Sequence, residues 1–167
     1  MNPVSILRQL IKGLLSDNED YQIALGISFG MIIGIIPKNN LCAQIIFIIS
    51  LSTKANVPFL ILSIFAFSLI SPITDIITDK IGYFVLGIKS LEPFFTKLYN
   101  MAVIPWTDFN NTVVMGGVIF GIIMFYPVYL FSKKFGKFYN LKLREKISNL
   151  KIIKILKASW LFEWYFK

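Results

Sequence analysis

Apolar runs separated by short polar breaks dominate this chain, and the length of each run sets the element it predicts. Leu7, Leu10, Ile11, Leu14 and Leu15 fall on one helical face, and Arg8, Gln9 and Lys12 lie away from its centre. Residues 1–16 therefore predict an amphipathic helix lying in a membrane interface, opened by Asn2 and Pro3. After the polar stop at Ser16–Asp20 come two apolar runs, 21–36 and 41–51, joined by Pro37-Lys38-Asn39-Asn40. The longer run spans about 24 Å as a helix, less than the roughly 30 Å hydrocarbon core of a bilayer. Residues 21–51 thus predict a helical hairpin that enters, turns and returns. Backbone exposed at such a turn must be buried in protein or line a wet cavity, and Asn39, Asn40 and Gln44 are placed to bond there.

A further apolar run, 57–74, is interrupted by Pro72, with Ser71 and Thr74 beside it, and apolar character resumes at 81–88. This predicts a second proline-broken segment over 57–88; a duplicated hairpin is the alternative. Residues 89–111 are mixed and rich in aromatics, as at a membrane–water boundary. Residues 112–131 are uncharged throughout and predict the one conventional transmembrane helix, kinked at Pro127. The fold class that results is an all-α integral membrane protein, with short proline-broken hairpins, one full transmembrane helix and amphipathic terminal helices. Residues 1–132 form a single membrane domain and residues 133–167 a basic amphipathic tail.

Glycine spacing adds packing to this scheme. Gly26, Gly30 and Gly34 recur every fourth residue and form a ridge without side chains on one helix face. In water each such glycine costs a helix about 1 kcal/mol relative to alanine. In lipid the ridge admits another backbone at close range, and Gly117 and Gly121 repeat the spacing. The pattern is a packing motif and not a phosphate-binding loop.

Composition and charge fix the surroundings. The chain is 56% hydrophobic and 16% charged, against about 25% charged in an ordinary soluble domain. Residues 133–167 hold ten Lys/Arg and two Asp/Glu, whereas residues 1–132 balance to zero. The excess positive charge follows the last apolar span, which the positive-inside rule reads as a cytoplasmic tail. Trp160 and Trp164 close that tail as aromatic anchors on anionic headgroups, a membrane-lipid partner and not a nucleic-acid one. A tail on the cytoplasmic side requires one earlier crossing, assigned to 57–74. No signal-peptide cleavage pattern follows the first apolar residues.

Candidate chemistry is sparse. No histidine occurs, and the single Cys42 lies inside an apolar run, so neither a disulfide nor a cysteine metal cluster is expected; no metal or cofactor is implied. Asp75 and Asp79, spaced i, i+4, are the acidic residues of the central apolar region. They read as an ion or polar site of a small proton- or cation-coupled transporter or channel, or as interfacial carboxylates paired with Lys80 or tail lysines. Two carboxylates alone give no nucleophile or metal cage, and an enzyme is not expected.

The order of these features resembles an uncharacterised bacterial inner-membrane family known only as a domain of unknown function. The resemblance rests on Ala24, Gly26, Gly30, Gly34 and Pro37, then Asn56 and Pro58, then Ser71, Pro72 and Thr74, and covers roughly residues 21–131. The stretch from Phe109 through Asn110 and Asn111 to Gly116 is similar to a subgroup often encoded beside a larger envelope protein. Lys38-Asn39-Asn40 departs from the glycine-containing turn of many relatives. The resemblance implies a multi-pass protein of the bacterial inner membrane, and the absence of catalytic residue types a non-enzymatic one. It would pack with a larger envelope partner of the AsmA/TamB bridge-like type in lipid or glycolipid transport, with Asn110, Asn111 and the tail tryptophans as contacts to partner or lipid.

Overall fold

The computed structural model describes residues 3–151 and 153–154, and these are helical with no strand. Seven α-helices follow in order: α1 (Pro3–Leu15), α2 (Asp20–Ile35), α3 (Leu41–Ser52), α4 (Val57–Leu86), α5 (Glu92–Tyr99), α6 (Thr112–Phe138) and α7 (Arg144–Ser148). Short 3-10 turns at Lys89–Leu91 and Ile104–Thr107 flank α5, and a π-helical turn at Tyr139–Leu143 joins α6 to α7.

Three helices, α2, α4 and α6, form the core. α2 is apolar on every side, the property of a helix surrounded by others. Ten of its residues are buried, from Ile23 and Ala24 to Gly34 and Ile35. Its three spaced glycines face α4 in sequence. A Cβ at Gly26 would meet the Asn56 carbonyl at 2.6 Å, one at Gly30 the Leu60 carbonyl at 2.7 Å, and one at Gly34 the Ile64 carbonyl at 3.1 Å. The order of these contacts makes α2 and α4 parallel. On another side, Gly117 lies against Ile36, Gly121 against Ile32 and Gly136 against Asp20, so α6 runs antiparallel to α2. Edge-on aromatic pairs close the seams, Phe29 with Phe125 at 5.0 Å and Phe59 with Tyr139 at 4.9 Å between ring centres.

The hairpin expected over 21–51 is present as α2, a break at Ile36–Asn40 and α3. The Asn56 N–H donates to the Gln22 carbonyl at 2.9 Å, so the chain returns to the end it left. That end also gathers α1, the C-terminal half of α6 and α7, and is called here the terminal end. The opposite, loop end holds residues 87–111.

Pro72 is a correction. The expected break at Ser71, Pro72 and Thr74 does not form: α4 runs unbroken for 30 residues from Val57 to Leu86. Proline removes the N–H that would bond the carbonyl four residues back, here Ser68. The Ser71 hydroxyl donates to that carbonyl at 3.1 Å and restores the missing bond. Ser68 and Thr74 bond their own preceding turns likewise. The duplicated hairpin is thereby excluded, and 57–74 becomes the first part of a helix about 45 Å long. Among the described residues two helices, not one, are long and apolar enough to cross a membrane, and the second continues past residue 131 to Phe138.

Polarity is inverted relative to a soluble core. Ser28, Ser50 and Thr78 are fully buried, while Phe65, Leu69, Ile73 and Phe84 on α4 and Ile122, Ile123 and Phe131 on α6 are exposed. Only 6% of the most apolar stretch of α4 is buried.

The glycine contacts generate an ordered prediction. At Gly116 an added Cβ would strike the Thr78 carbonyl, which is backbone, whereas at Gly121 it would press on Ile32 side-chain carbons at 3.0 Å. Gly116→Ala is expected to destabilise by about 1–3 kcal/mol and Gly121→Ala by less, because a side chain yields where a backbone does not. Thermal unfolding of both variants in detergent checks the order.

Candidate functional site

Most side-chain polarity falls into three groups along the helical core. The first is the hairpin tip. Asn40 caps α3, its Oδ1 accepting the Ala43 N–H at 2.8 Å and its Nδ2 donating to the Pro37 carbonyl at 2.5 Å. These two bonds satisfy backbone freed by the break, and Asn40 is buried. Pro37, Lys38 and Asn39 are exposed. Asn39 and Gln44, expected to bond at the turn, make no hydrogen bond among the described residues. The Lys38 ammonium donates to the Gly34 carbonyl at 2.7 Å, and Asp75 of α4 is the charge that acts on it, without a direct bond between them. One Asp75 oxygen is buried and has no hydrogen-bond donor.

The second group clamps α4 to α6 toward the loop end. The Thr112 hydroxyl donates to Asp79. Asp75 and Asp79 share a helix yet differ in partners: one acts on the hairpin tip, the other holds α6. Neither Lys80 nor a described tail lysine forms an ion pair with either, contrary to the pairing weighed from sequence. Beside this clamp, Thr78–Gly82 on α4 meets Thr112–Gly116 on α6. A Cβ at Gly82 would strike the Thr112 carbonyl, and one at Gly116 the Thr78 carbonyl. Sequence reading missed Gly82 and Gly116, although each pair carries the same four-residue small spacing as the ridge on α2.

The third group ties the terminal end. Asn56 caps α4, accepting the Phe59 N–H at 3.1 Å and donating to the Gly13 carbonyl at 3.4 Å. Asn140 donates to the Asn18 carbonyl at 2.8 Å and to Asp20 at 2.7 Å, and the Tyr139 hydroxyl donates to the Leu14 carbonyl at 3.0 Å. Arg144 pairs with Asp17. Together they join α1, the start of α2 and the end of α6.

At the loop end, Asn111 caps α6 by accepting the Val113 and Val114 N–H groups at 2.9 and 3.3 Å. Its role is structural; Asn110 lines an open hollow with Leu86, Phe95, Tyr99 and Phe109. Trp106 is 72% exposed there. The other expected contacts, Trp160 and Trp164, lie outside the described residues.

The fold defines an all-helical protein with two helices long and apolar enough to cross a membrane, arranged around a buried half-length helix. The chain belongs to the family described as "Uncharacterized protein conserved in bacteria (DUF2062)", whose model matches residues 6–145. It is similar to an uncharacterized protein of Treponema pallidum (strain Nichols), 22% identical over 149 residues that make up 89% of this chain and 92% of that protein. No solved structure matches.

The capping Asn56 and the unbonded turn residue Asn39 have unequal surroundings, which a pair of variants tests. Asn56→Ala is expected to lower stability by about 1 kcal/mol or somewhat more, because a capped helix start and a tie to α1 are lost together. Asn39→Ala should leave the melting temperature unchanged, since no bond is lost. Parallel thermal melts in detergent decide between these outcomes.

Proposed function

We propose that this chain is a multi-pass protein of the bacterial cytoplasmic membrane that acts as a non-enzymatic subunit of a larger envelope assembly. The observation that carries the membrane part is the apolar exterior of α4 and α6, which water would not tolerate over such an area. On this reading α4 crosses once, α6 crosses back and the α2–α3 hairpin is re-entrant from the terminal end. α1 and α7 then lie on the side to which the basic tail belongs, the cytoplasm.

The subunit part is supported by the tightness of the core. Backbone contact of α2 with α4 at Gly26 and Gly30, and of α4 with α6 at Gly82 and Gly116, closes both seams of α4 to a permeating solute. The protein therefore works through its surface, toward lipid and toward a partner. The loop-end aromatics, with Trp106 outermost, are the face offered to an envelope protein; a partner of the bridge-like lipid-transfer type fits that placement. Tagged protein purified from native membranes in mild detergent is expected to carry a larger membrane protein with it. Elution as a lone monomer would sink the subunit reading.

A small proton- or cation-coupled transporter is the second reading, favoured by the buried Asp75 oxygen that lacks a donor. Asp79 is engaged by Thr112, so the two carboxylates do not converge on one site. The double variant D75N/D79N should abolish function if they couple transport and retain it if the protein is a subunit.

Orientation has its own test. In a cysteine-free background (Cys42→Ser), cysteines at Asp17 and Asn149 should resist a membrane-impermeant maleimide added to intact cells, and one at Asn100 should react. Labelling of Asp17 or Asn149 positions from outside would reverse the topology.

A further inference from the structure

The open hollow at the loop end is built from one face of a helix and the two segments that meet it. In α5, Glu92, Phe95, Thr96 and Tyr99 are spaced i, i+3, i+4 and i+7 and therefore share a face. Phe109, Asn110 and Leu86, the last residue of α4, face them across the hollow. Leu86, Phe95 and Phe109 are half-buried and form the floor, whereas Glu92, Tyr99 and Asn110 are exposed at the rim. The rings of Phe95 and Phe109 lie 6.2 Å apart between centres, tilted by 37° to each other. A volume of about 330 Å3 puts the hollow at the lower end of the range for ligand sites, about 300–1,000 Å3.

One charge lines the hollow, and it is negative. Among the described residues the Glu92 carboxylate has no hydrogen bond or ion pair, and the Asn110 side chain has none either. The lysines next to it in sequence do not answer it. Lys97 lies about 140° round α5 from Glu92, Lys89 precedes the helix, and neither lines the hollow. A carboxylate attracts a cation by its charge, and an aromatic face does so by its quadrupole. Arginine fits both: its flat guanidinium stacks on rings, and its five N–H donors suit a rim of carboxylate, amide and hydroxyl oxygens. A zwitterionic lipid headgroup would instead bring its phosphate beside Glu92, with no cation in the lining to receive it.

We propose that this hollow receives one arginine side chain of the envelope partner. The guanidinium bonds the Glu92 carboxylate and the Asn110 amide oxygen above the Phe95 and Phe109 rings, and the aliphatic stem lies against Leu86. Arginine is among the residues enriched at the centres of protein interfaces, where an aromatic pocket desolvates it. The partner thereby acquires a chemistry: a segment on the far side of the membrane that presents an exposed arginine. This inference rests on the subunit reading above and deepens it.

The test uses the full chain in detergent micelles, with 4-fluorophenylalanine placed singly at Phe95, at Phe109 or, as a control on the apolar exterior of α4, at Phe65. Three probes are titrated against the fluorine signal: a capped glycine-arginine-glycine peptide, the same peptide with uncharged citrulline for arginine, and glycerophosphoethanolamine, the free headgroup of an amine lipid. The arginine peptide is expected to shift the signals at Phe95 and Phe109, to leave Phe65 unmoved, and to bind several-fold more tightly than the other two probes. Glu92→Gln should lower it to the level of the citrulline peptide. Lys97→Gln, a charge change on another face of α5, should leave the ranking of the probes as it was. Unmoved signals, equal binding of the citrulline peptide, equal or tighter binding of the headgroup, or a ranking indifferent to Glu92→Gln or as sensitive to Lys97→Gln would each overturn the proposal. Purification of the tagged protein separates the two levels. A lone monomer defeats the subunit reading and the proposal together, whereas a co-eluting partner without arginine selectivity at the hollow defeats the proposal alone.

Discussion

Close approach between helix backbones is the constraint on which the rest of this structure depends. α2 is only 16 residues long, and the capping box of Glu19 and Gln22 secures its first turn alone. It is held because α4 slides into the trough left by Gly26, Gly30 and Gly34, and because Gly117 and Gly121 let Ile36 and Ile32 seat against α6. Each glycine weakens its helix by about 1 kcal/mol relative to alanine. Packing must exceed that cost, and it does so by bringing carbonyls and Cα atoms of neighbouring helices into van der Waals range. The same contacts set the direction of α4 parallel to α2, which forces α3 to return across the hairpin before α4 can begin.

A structure that faces lipid must also account for its polar groups, and this one does so locally. Ser28 bonds the Ala24 carbonyl at 2.8 Å, Ser50 the Phe47 carbonyl at 2.6 Å, and Thr78 the Asp75 carbonyl at 3.3 Å. Each hydroxyl is absorbed within its own helix, so small polar residues occupy the crowded interior at no cost in unpaired groups. Asparagines do the corresponding work at helix starts: Asn40, Asn56 and Asn111 cap α3, α4 and α6 in turn. The long-range polar bonds concentrate at the terminal end, where Tyr139, Asn140 and Arg144 tie the end of α6 and the start of α7 to α1 and the start of α2.

The legible part of the fold was whatever run length and spacing determine. Residues 21–36 read as too short to span and too apolar to be a surface helix, and they are the enclosed helix; the break at Pro37 was visible because four residues of polar or helix-breaking chain follow one another. Pro72 misled because a proline alone does not break a helix. What matters is whether the orphaned carbonyl of Ser68 finds another donor, and the hydroxyl of Ser71, one residue before the proline, supplies it. That compensation is written in the sequence as Ser-Pro, yet its outcome depends on a side-chain rotamer. The candidate site was legible only in outline. The i, i+4 spacing of Asp75 and Asp79 suggested one site, but a helix presents such residues a turn apart along its axis, and here that separation assigns one to the hairpin tip and the other to Thr112. Gly82 and Gly116 escaped notice because in each four-residue motif a threonine, Thr78 or Thr112, stands where the ridge on α2 has a glycine.

The distribution of order and looseness then constrains where function can reside. The three-helix core has no slack: its seams are closed by backbone atoms, and a core of that kind has two discrete arrangements only if a whole helix moves. α3 differs. It touches α2 and the turn at Ile104–Thr107, leaves Ile45, Ile48 and Ile49 exposed, and is fixed at its start by the Asn40 cap and by Ala43, which is part of the buried core. Any ligand that reaches the hairpin from lipid meets α3 first, at low cost in displaced contacts, while the α2–α4 seam behind it stays rigid.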